Sequence, residues 1–126
     1  MFRLALVCLG SALGGGLRYL VSLWAPRALG TGFPWATLIV NVVGSFLIGV
    51  IMYLGLRTQL VSANARLFLT TGVMGGLTTY STFNYETIKY FEDGAWRVGA
   101  TNMVATLASC LIAGFLGLAC ARTLAG

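Results

Sequence analysis

The sequence predicts an all-α integral membrane protein with four transmembrane helices, the third of them broken. Three observations carry that prediction: 58% of the 126 residues are hydrophobic, only 9% are charged, and the mean hydropathy is +0.87. A soluble domain carries roughly 25% charged residues. Uncharged runs cover 35–56, 67–85 and 98–121, each close to the ~20 residues a spanning helix needs. A fourth run, 4–24, is interrupted only by Arg18. The expected spans are 3–24, 35–56, 67–88 and 97–122, forming one membrane domain over 1–126. The connections near 25–34, 57–66 and 89–97 are short, and no soluble domain fits beside the spans. Arg3 followed by Leu4–Leu13 also has the outline of a signal peptide. The apolar pattern resumes beyond Arg18, which favours a retained first helix.

In the first span Gly10, Gly14 and Arg18 recur every four residues. That spacing puts a small-residue groove and a cation on one helical face. Packing alone accounts for the glycines. Arg18 lies a turn or two inside the membrane, where an arginine is costly and faces protein or water. It either snorkels to the interface, draws anions towards a pore mouth, or bonds loop carbonyls. The second span opens at Trp35, an interfacial aromatic. Thr37, Asn41 and Ser45 follow at i, i+4 and i+8, joined by Gly44 in one stripe. Asn41 is either glue between helices or an amide donor to a passing ligand.

The third span holds the most informative stretch, Gly72-Val73-Met74-Gly75-Gly76-Leu77-Thr78-Thr79-Tyr80-Ser81-Thr82-Phe83. Adjacent glycines cost about 1 kcal/mol each relative to alanine in a helix. Irregular backbone at membrane depth survives only when buried in protein or lining a cavity. A break is therefore expected near Gly75–Thr79, and a Gly-interrupted span is where an ion or substrate site belongs. Tyr80 and Phe83, three apart, become neighbours on a helix. Glu86, the only acid near a span, reads as an interfacial carboxylate. In the fourth span Asn102, Thr106, Ser109, Cys110, Gly114 and Gly117 form a small, mildly polar stripe that reads as helix packing.

The net charge of +5 comes from scattered cations, Arg3, Arg18, Arg27, Arg57, Arg66, Lys89, Arg97 and Arg122. With no cluster or stripe among them, nucleic acid is not an expected partner. If both termini share one side, Arg3, Arg57, Arg66 and Arg122 lie there, and Arg27, Lys89 and Arg97 lie opposite, with Arg18 near that end. Such a near balance weakens the bias that normally fixes orientation, and leaves insertion both ways, and an antiparallel dimer, open. There is no histidine, no carboxylate pair and no base beside any hydroxyl, so catalysis is unsupported. A proton relay would need acids or histidines within the bilayer. No P-loop motif occurs. Cys8, Cys110 and Cys120 lack CxxC spacing and read as small buried apolar side chains.

What remains is hydroxyl, amide, arginine and aromatic. Hydroxyls and amides donate hydrogen bonds without charge, and a ring edge is electropositive. A path lined by such groups compensates a dehydrating anion without trapping it. Unwound carbonyls at a helix break instead suit a hard cation such as Na⁺. The residues alone lead to a small ion, an anion first, on a donor-lined path.

Gly75-Gly76-Leu77-Thr78-Thr79-Tyr80-Ser81-Thr82-Phe83, followed by Glu86, closely resembles the third-helix signature GGxTTFSTF of the Fluc (CrcB) family of bacterial fluoride channels. Gly14-Gly15-Gly16-Leu17-Arg18-Tyr19 is similar to that family's glycine-rich first helix. Thr37-Leu38-Ile39-Val40-Asn41 is similar to its TLxVN segment. The resemblance spans the whole chain. It implies a dual-topology, antiparallel homodimer in the bacterial inner membrane that exports fluoride passively and lowers its toxicity. It also implies a structural Na⁺ at the dimer centre, held by the backbone carbonyls of Gly75 and Thr78. The implied fluoride path is Asn41, Tyr80, Ser81, Thr82 and Phe83, with Arg18 near a vestibule. Two positions depart from the family pattern: Tyr80 stands where the motif has phenylalanine, and Cys110 where a serine is expected.

Two other classes share parts of this pattern. A small multidrug-type exporter would share the helix count and charge balance but needs a membrane carboxylate, where the first span carries Arg18. A non-transporting assembly subunit would have no use for the hydroxyls of Thr78–Thr82.

Overall fold

The computed structural model describes all residues, 1–126, and is helical throughout, with no strand. Helix α1 is Phe2–Leu29 and α2 is Trp35–Arg57. The third rod is assembled from α3, Ala63–Leu67, a π-helical segment, Phe68–Met74, the short α4, Gly75–Leu77, and α5, Tyr80–Glu92. Helix α6 is Trp96–Ala125. Three helices, α1, α2 and α6, are long and apolar enough to cross a membrane unbroken. The third rod has no continuous helix of that length, because its backbone is extended at Thr78 and Thr79.

Local chemistry sets the ends. Helix α1 continues through Pro26, which the sequence placed in a loop. In the last turn a proline forfeits only one backbone bond. The helix then stops at Gly30, whose φ of 85° suits a residue without Cβ and whose N–H donates to the Pro26 carbonyl at 3.1 Å. Ser62 caps α3 by accepting from the Ala65 N–H at 3.1 Å. In the same connection the Arg66 Nη1 donates to the Gly55 carbonyl at 2.8 Å, tying α3 to the end of α2. Gly94, at φ 78°, turns the chain from α5 into α6.

The interior reverses the pattern of a soluble protein. Only 19 of the 126 residues are buried, and Thr37, Asn41, Thr79, Thr87, Asn102 and Thr106 are among them. Leu9, Leu13, Val104, Leu107, Phe115 and Leu116 are exposed instead. Cys8, expected inside, is exposed on α1 as well. Apolar side chains thus face the lipid, and the helices meet backbone against backbone, as expected where burial of apolar surface gives no drive to associate.

Glycines permit that approach. A Cβ on Gly14 would lie 2.0 Å from the Val73 carbonyl oxygen, and one on Gly10 would lie 2.6 Å from that of Phe68. These contacts press α1 against the π segment. Across the molecule a Cβ on Gly117 would lie 2.1 Å from the Phe46 carbonyl oxygen, and one on Gly49 would lie 2.6 Å from that of Gly114. These join α2 to α6, the most extensive helix pairing in the fold.

Candidate functional site

The site grows from the break. Thr78 has φ −83° and ψ 154°, and Thr79 has φ −151° and ψ 114°. Both conformations are extended, which β-branched residues accept readily. The sequence pointed to the glycines as the breakers, and here the structure differs. Gly75 is helical, at φ −61° and ψ −38°. Gly76 serves close packing, since a Cβ on it would lie 2.4 Å from the Ser11 carbonyl oxygen. Gly44 makes room for the break from α2: a Cβ there would lie 2.2 Å from Thr78 Cγ2.

An extended pair at membrane depth exposes backbone groups that must find partners. Asn41 answers for Thr79 in full. Its Oδ1 accepts from the Thr79 N–H at 2.8 Å, and its Nδ2 donates to the Thr79 carbonyl at 3.1 Å. The amide acts as a one-residue strand partner, and the two bonds fix which way it faces. One Nδ2 hydrogen stays available beyond this pair. Arg18 Nε donates to the Gly76 carbonyl at 3.1 Å, so it makes a structural bond, though to a carbonyl of helix α4 just before the break and not to one in a loop. Thr79 Oγ1 accepts from the Thr82 N–H at 3.2 Å and caps α5. The same hydroxyl lies 3.0 Å from Thr82 Oγ1 and 3.3 Å from Ser81 Oγ, gathering three hydroxyls in one turn.

The break leaves the carbonyls of Gly75, Gly76, Leu77 and Thr78 without their helical donors, and Arg18 takes up that of Gly76. The Thr79 N–H that would bond Gly75 goes to Asn41, and the Thr82 N–H that would bond Thr78 goes to Thr79 Oγ1. Both Gly75 and Thr78 line an open groove of about 920 Å³, with Asn41, Thr79, Tyr80 and Phe83. No cluster of His, Cys, Asp or Glu could hold a metal ion. The donor set present for a cation is neutral oxygen, which fits a hard, singly charged ion.

Tyr80 and Phe83 form an edge-on pair, ring centroids 5.7 Å apart at 62°. Tyr80 is 77% exposed and projects away from the protomer. A second, smaller cavity of about 280 Å³ lies beside the break and is lined by Arg18, Thr37, Ser22, Thr79 and Thr82. The sequence-derived set therefore divides. Asn41, Tyr80, Phe83, Gly75 and Thr78 reach the groove, whereas Arg18 and Thr82 reach the smaller cavity. Ser81 lines neither, and joins the others through Thr79. Thr79 borders both spaces, so the break is the wall between them.

Sequence reasoning missed three connections. Glu86, half-buried, accepts from Thr37 Oγ1 at 2.5 Å, which joins α5 to α2 across 49 positions of sequence. Asn102 on α6 donates from Nδ2 to Thr87 Oγ1 at 2.9 Å. Thr79 is the capping residue; its place three positions before Thr82, at the head of Tyr80–Glu92, is the one signal that could have found it.

Residues 5–118 match the family described as CrcB-like protein, Camphor Resistance (CrcB). The fluoride-specific ion channel FluC of Anaeromyxobacter sp. is 53% identical over 126 residues, covering 100% of both chains. That of Trichlorobacter lovleyi is 48% identical over 122 residues, 97% of this chain and 95% of the relative. That of Clostridium perfringens is 46% identical over 119 residues, 94% of this chain and 93% of the relative.

Replacing the Asn41 amide by an apolar side chain of similar size leaves a buried N–H and a buried C=O unpaired. Each such group costs about 1–3 kcal/mol. Asn41→Leu is expected to lower stability by roughly 2–6 kcal/mol, read as a fall in the thermal midpoint of the purified protein in detergent. Asn41→Asp, which keeps an acceptor for the Thr79 N–H, falls less. An unchanged midpoint in Asn41→Leu contradicts the bracing role.

Proposed function

The chain belongs to the CrcB family, and from that premise we propose that it is a fluoride-selective ion channel, a multi-pass protein of the bacterial inner membrane. It lets F⁻ leave the cytoplasm down its gradient. It is not an enzyme. The observation that carries this reading is full-length likeness to fluoride-specific channels combined with a groove whose polar lining is uncharged. Hydroxyls, the spare hydrogen of Asn41 and the ring edges of Tyr80 and Phe83 replace parts of a hydration shell without a fixed positive charge to hold the ion.

The groove is open on one side, and a second copy of the chain is the proposed wall. Near-balanced cations allow two copies to insert in opposite senses, so the functional unit is an antiparallel homodimer. Asn41, Tyr80, Ser81, Thr82 and Phe83 are the proposed fluoride path, and Arg18 is the proposed vestibule cation. Arg18 also bonds the Gly76 carbonyl, and a guanidinium has donors to spare for both tasks. The Gly75 and Thr78 carbonyls, without their helical donors, are the proposed ligands of a structural Na⁺ at the dimer centre. When bound, that ion would supply a fixed charge that ties two broken helices together. The resemblance supports all of these assignments, the groove lining supports Asn41, Tyr80 and Phe83, and the freed carbonyls support Gly75 and Thr78.

Two measurements follow. In liposomes holding the purified protein, a fluoride electrode is expected to record rapid release that Phe83→Ile slows at least tenfold, with no matching chloride release. Absence of release from folded wild-type protein rules out the channel reading. A ligand that binds only the folded state raises stability by mass action. The thermal midpoint in detergent is therefore expected to be higher in sodium chloride than in choline chloride of equal strength. Equal midpoints remove the Na⁺ assignment.

A further inference from the structure

Helix α5 begins after a break, so backbone continuity does not fix how it is rotated about its own axis. Side chains do. Asn41 holds its Thr79 end, Thr37 holds Glu86, Asn102 holds Thr87, and Phe91 fills the space above Gly99. Of these attachments, Thr87 also bonds Phe83 itself: its hydroxyl donates to the Phe83 carbonyl at 2.8 Å. That hydroxyl has one proton, already committed to Phe83. It must therefore accept from Asn102 Nδ2, which turns the Asn102 oxygen towards Thr106, whose hydroxyl donates to it at 3.3 Å. The relay runs from Thr106 through Asn102 and Thr87 to Phe83.

Asn102 is 2% exposed and does not line the groove, whereas Thr87, Thr106 and Phe83 do. It cannot touch an ion there. A buried amide in a membrane-spanning helix is costly unless it is fully engaged, and every buried side-chain polar atom in this protein has a partner. We propose that Asn102 is a positioning residue for fluoride permeation: through Thr87 it sets the rotation of α5 and hence the direction in which the Phe83 ring edge faces. The inference rests on the reading of Phe83 as a path residue.

The test uses full-length protein in liposomes, with Thr87→Val, Thr87→Ser, Asn102→Leu and Phe83→Ile. Thr87→Val keeps the shape and removes the hydroxyl, so it remains informative where Asn102→Leu fails to fold. Thr87→Val and Asn102→Leu are expected to slow fluoride efflux about five- to tenfold, the scale of one lost hydrogen bond. Thr87→Ser stays near wild type. In a Phe83→Ile background Thr87→Val slows efflux no further. A fluorine NMR label, 4-fluorophenylalanine at position 83, is expected to shift or split in Thr87→Val and not in Thr87→Ser. An unchanged resonance and rate in Thr87→Val, or a slowing that multiplies with that of Phe83→Ile, overturns the inference. If Phe83→Ile alone leaves efflux unchanged, the path reading fails, and the inference with it.

Discussion

The structure depends on one constraint: two extended residues inside a membrane protein must have their backbone groups satisfied. Asn41 meets it by bonding both the N–H and the C=O of Thr79. Lipid offers no hydrogen-bond partner, and an unpaired amide would favour closing the helix again. The other features of the site follow. The diverted N–H groups leave the Gly75 and Thr78 carbonyls without helical donors. The helix restarts at Tyr80 with Thr79 as its cap, and that restart brings Tyr80 and Phe83 to one face. Arg18 takes up the Gly76 carbonyl, so three separate elements, α1, α2 and the third rod, share the upkeep of the break.

The surrounding scaffold is closely packed for a related reason. Lipid offers no hydrophobic drive for helices to associate, so contact must come from close approach and polar pairing. Glycines at 10, 14 and 76 bring α1 and the third rod to backbone contact, and Gly49 and Gly117 do the same for α2 and α6. The few buried side chains are then free to be polar. Six of them are threonine or asparagine, and each interhelical pair among them acts as a strut. The π-helical segment sits where the glycine contact with α1 is tightest. Single π turns recur inside helices at functional sites, and this segment is separated from the break only by the three residues of α4.

Much of this was legible in the residues. Hydropathy marked the three helices long and apolar enough to cross a membrane, four-residue glycine spacing marked the contact faces, and of the stripe Thr37, Asn41, Gly44 and Ser45 the first three are buried and Ser45 is half-buried. The Tyr80–Phe83 pair followed from helical spacing alone. What sequence could not reveal was which residues would unwind. Glycine and threonine both tolerate a break, and only packing decides. Ser11 backbone lies against Gly76, which keeps the glycines helical and displaces the extended pair to the threonines. The links from Thr37 to Glu86 and from Asn102 to Thr87 join separate helices, and no periodicity encodes such a pairing. Asn102 and Thr106 read as a packing stripe because their partner, Thr87, lies on α5.

Passive passage of fluoride along the proposed neutral, donor-lined path has a direct electrical signature. The most direct test is the reversal potential in a planar bilayer holding the purified protein, with a fluoride gradient imposed over equal chloride on both sides. A passive fluoride channel gives an ohmic current that reverses at the fluoride equilibrium potential. A reversal near zero, set by chloride, or no current from folded protein, would contradict the channel reading.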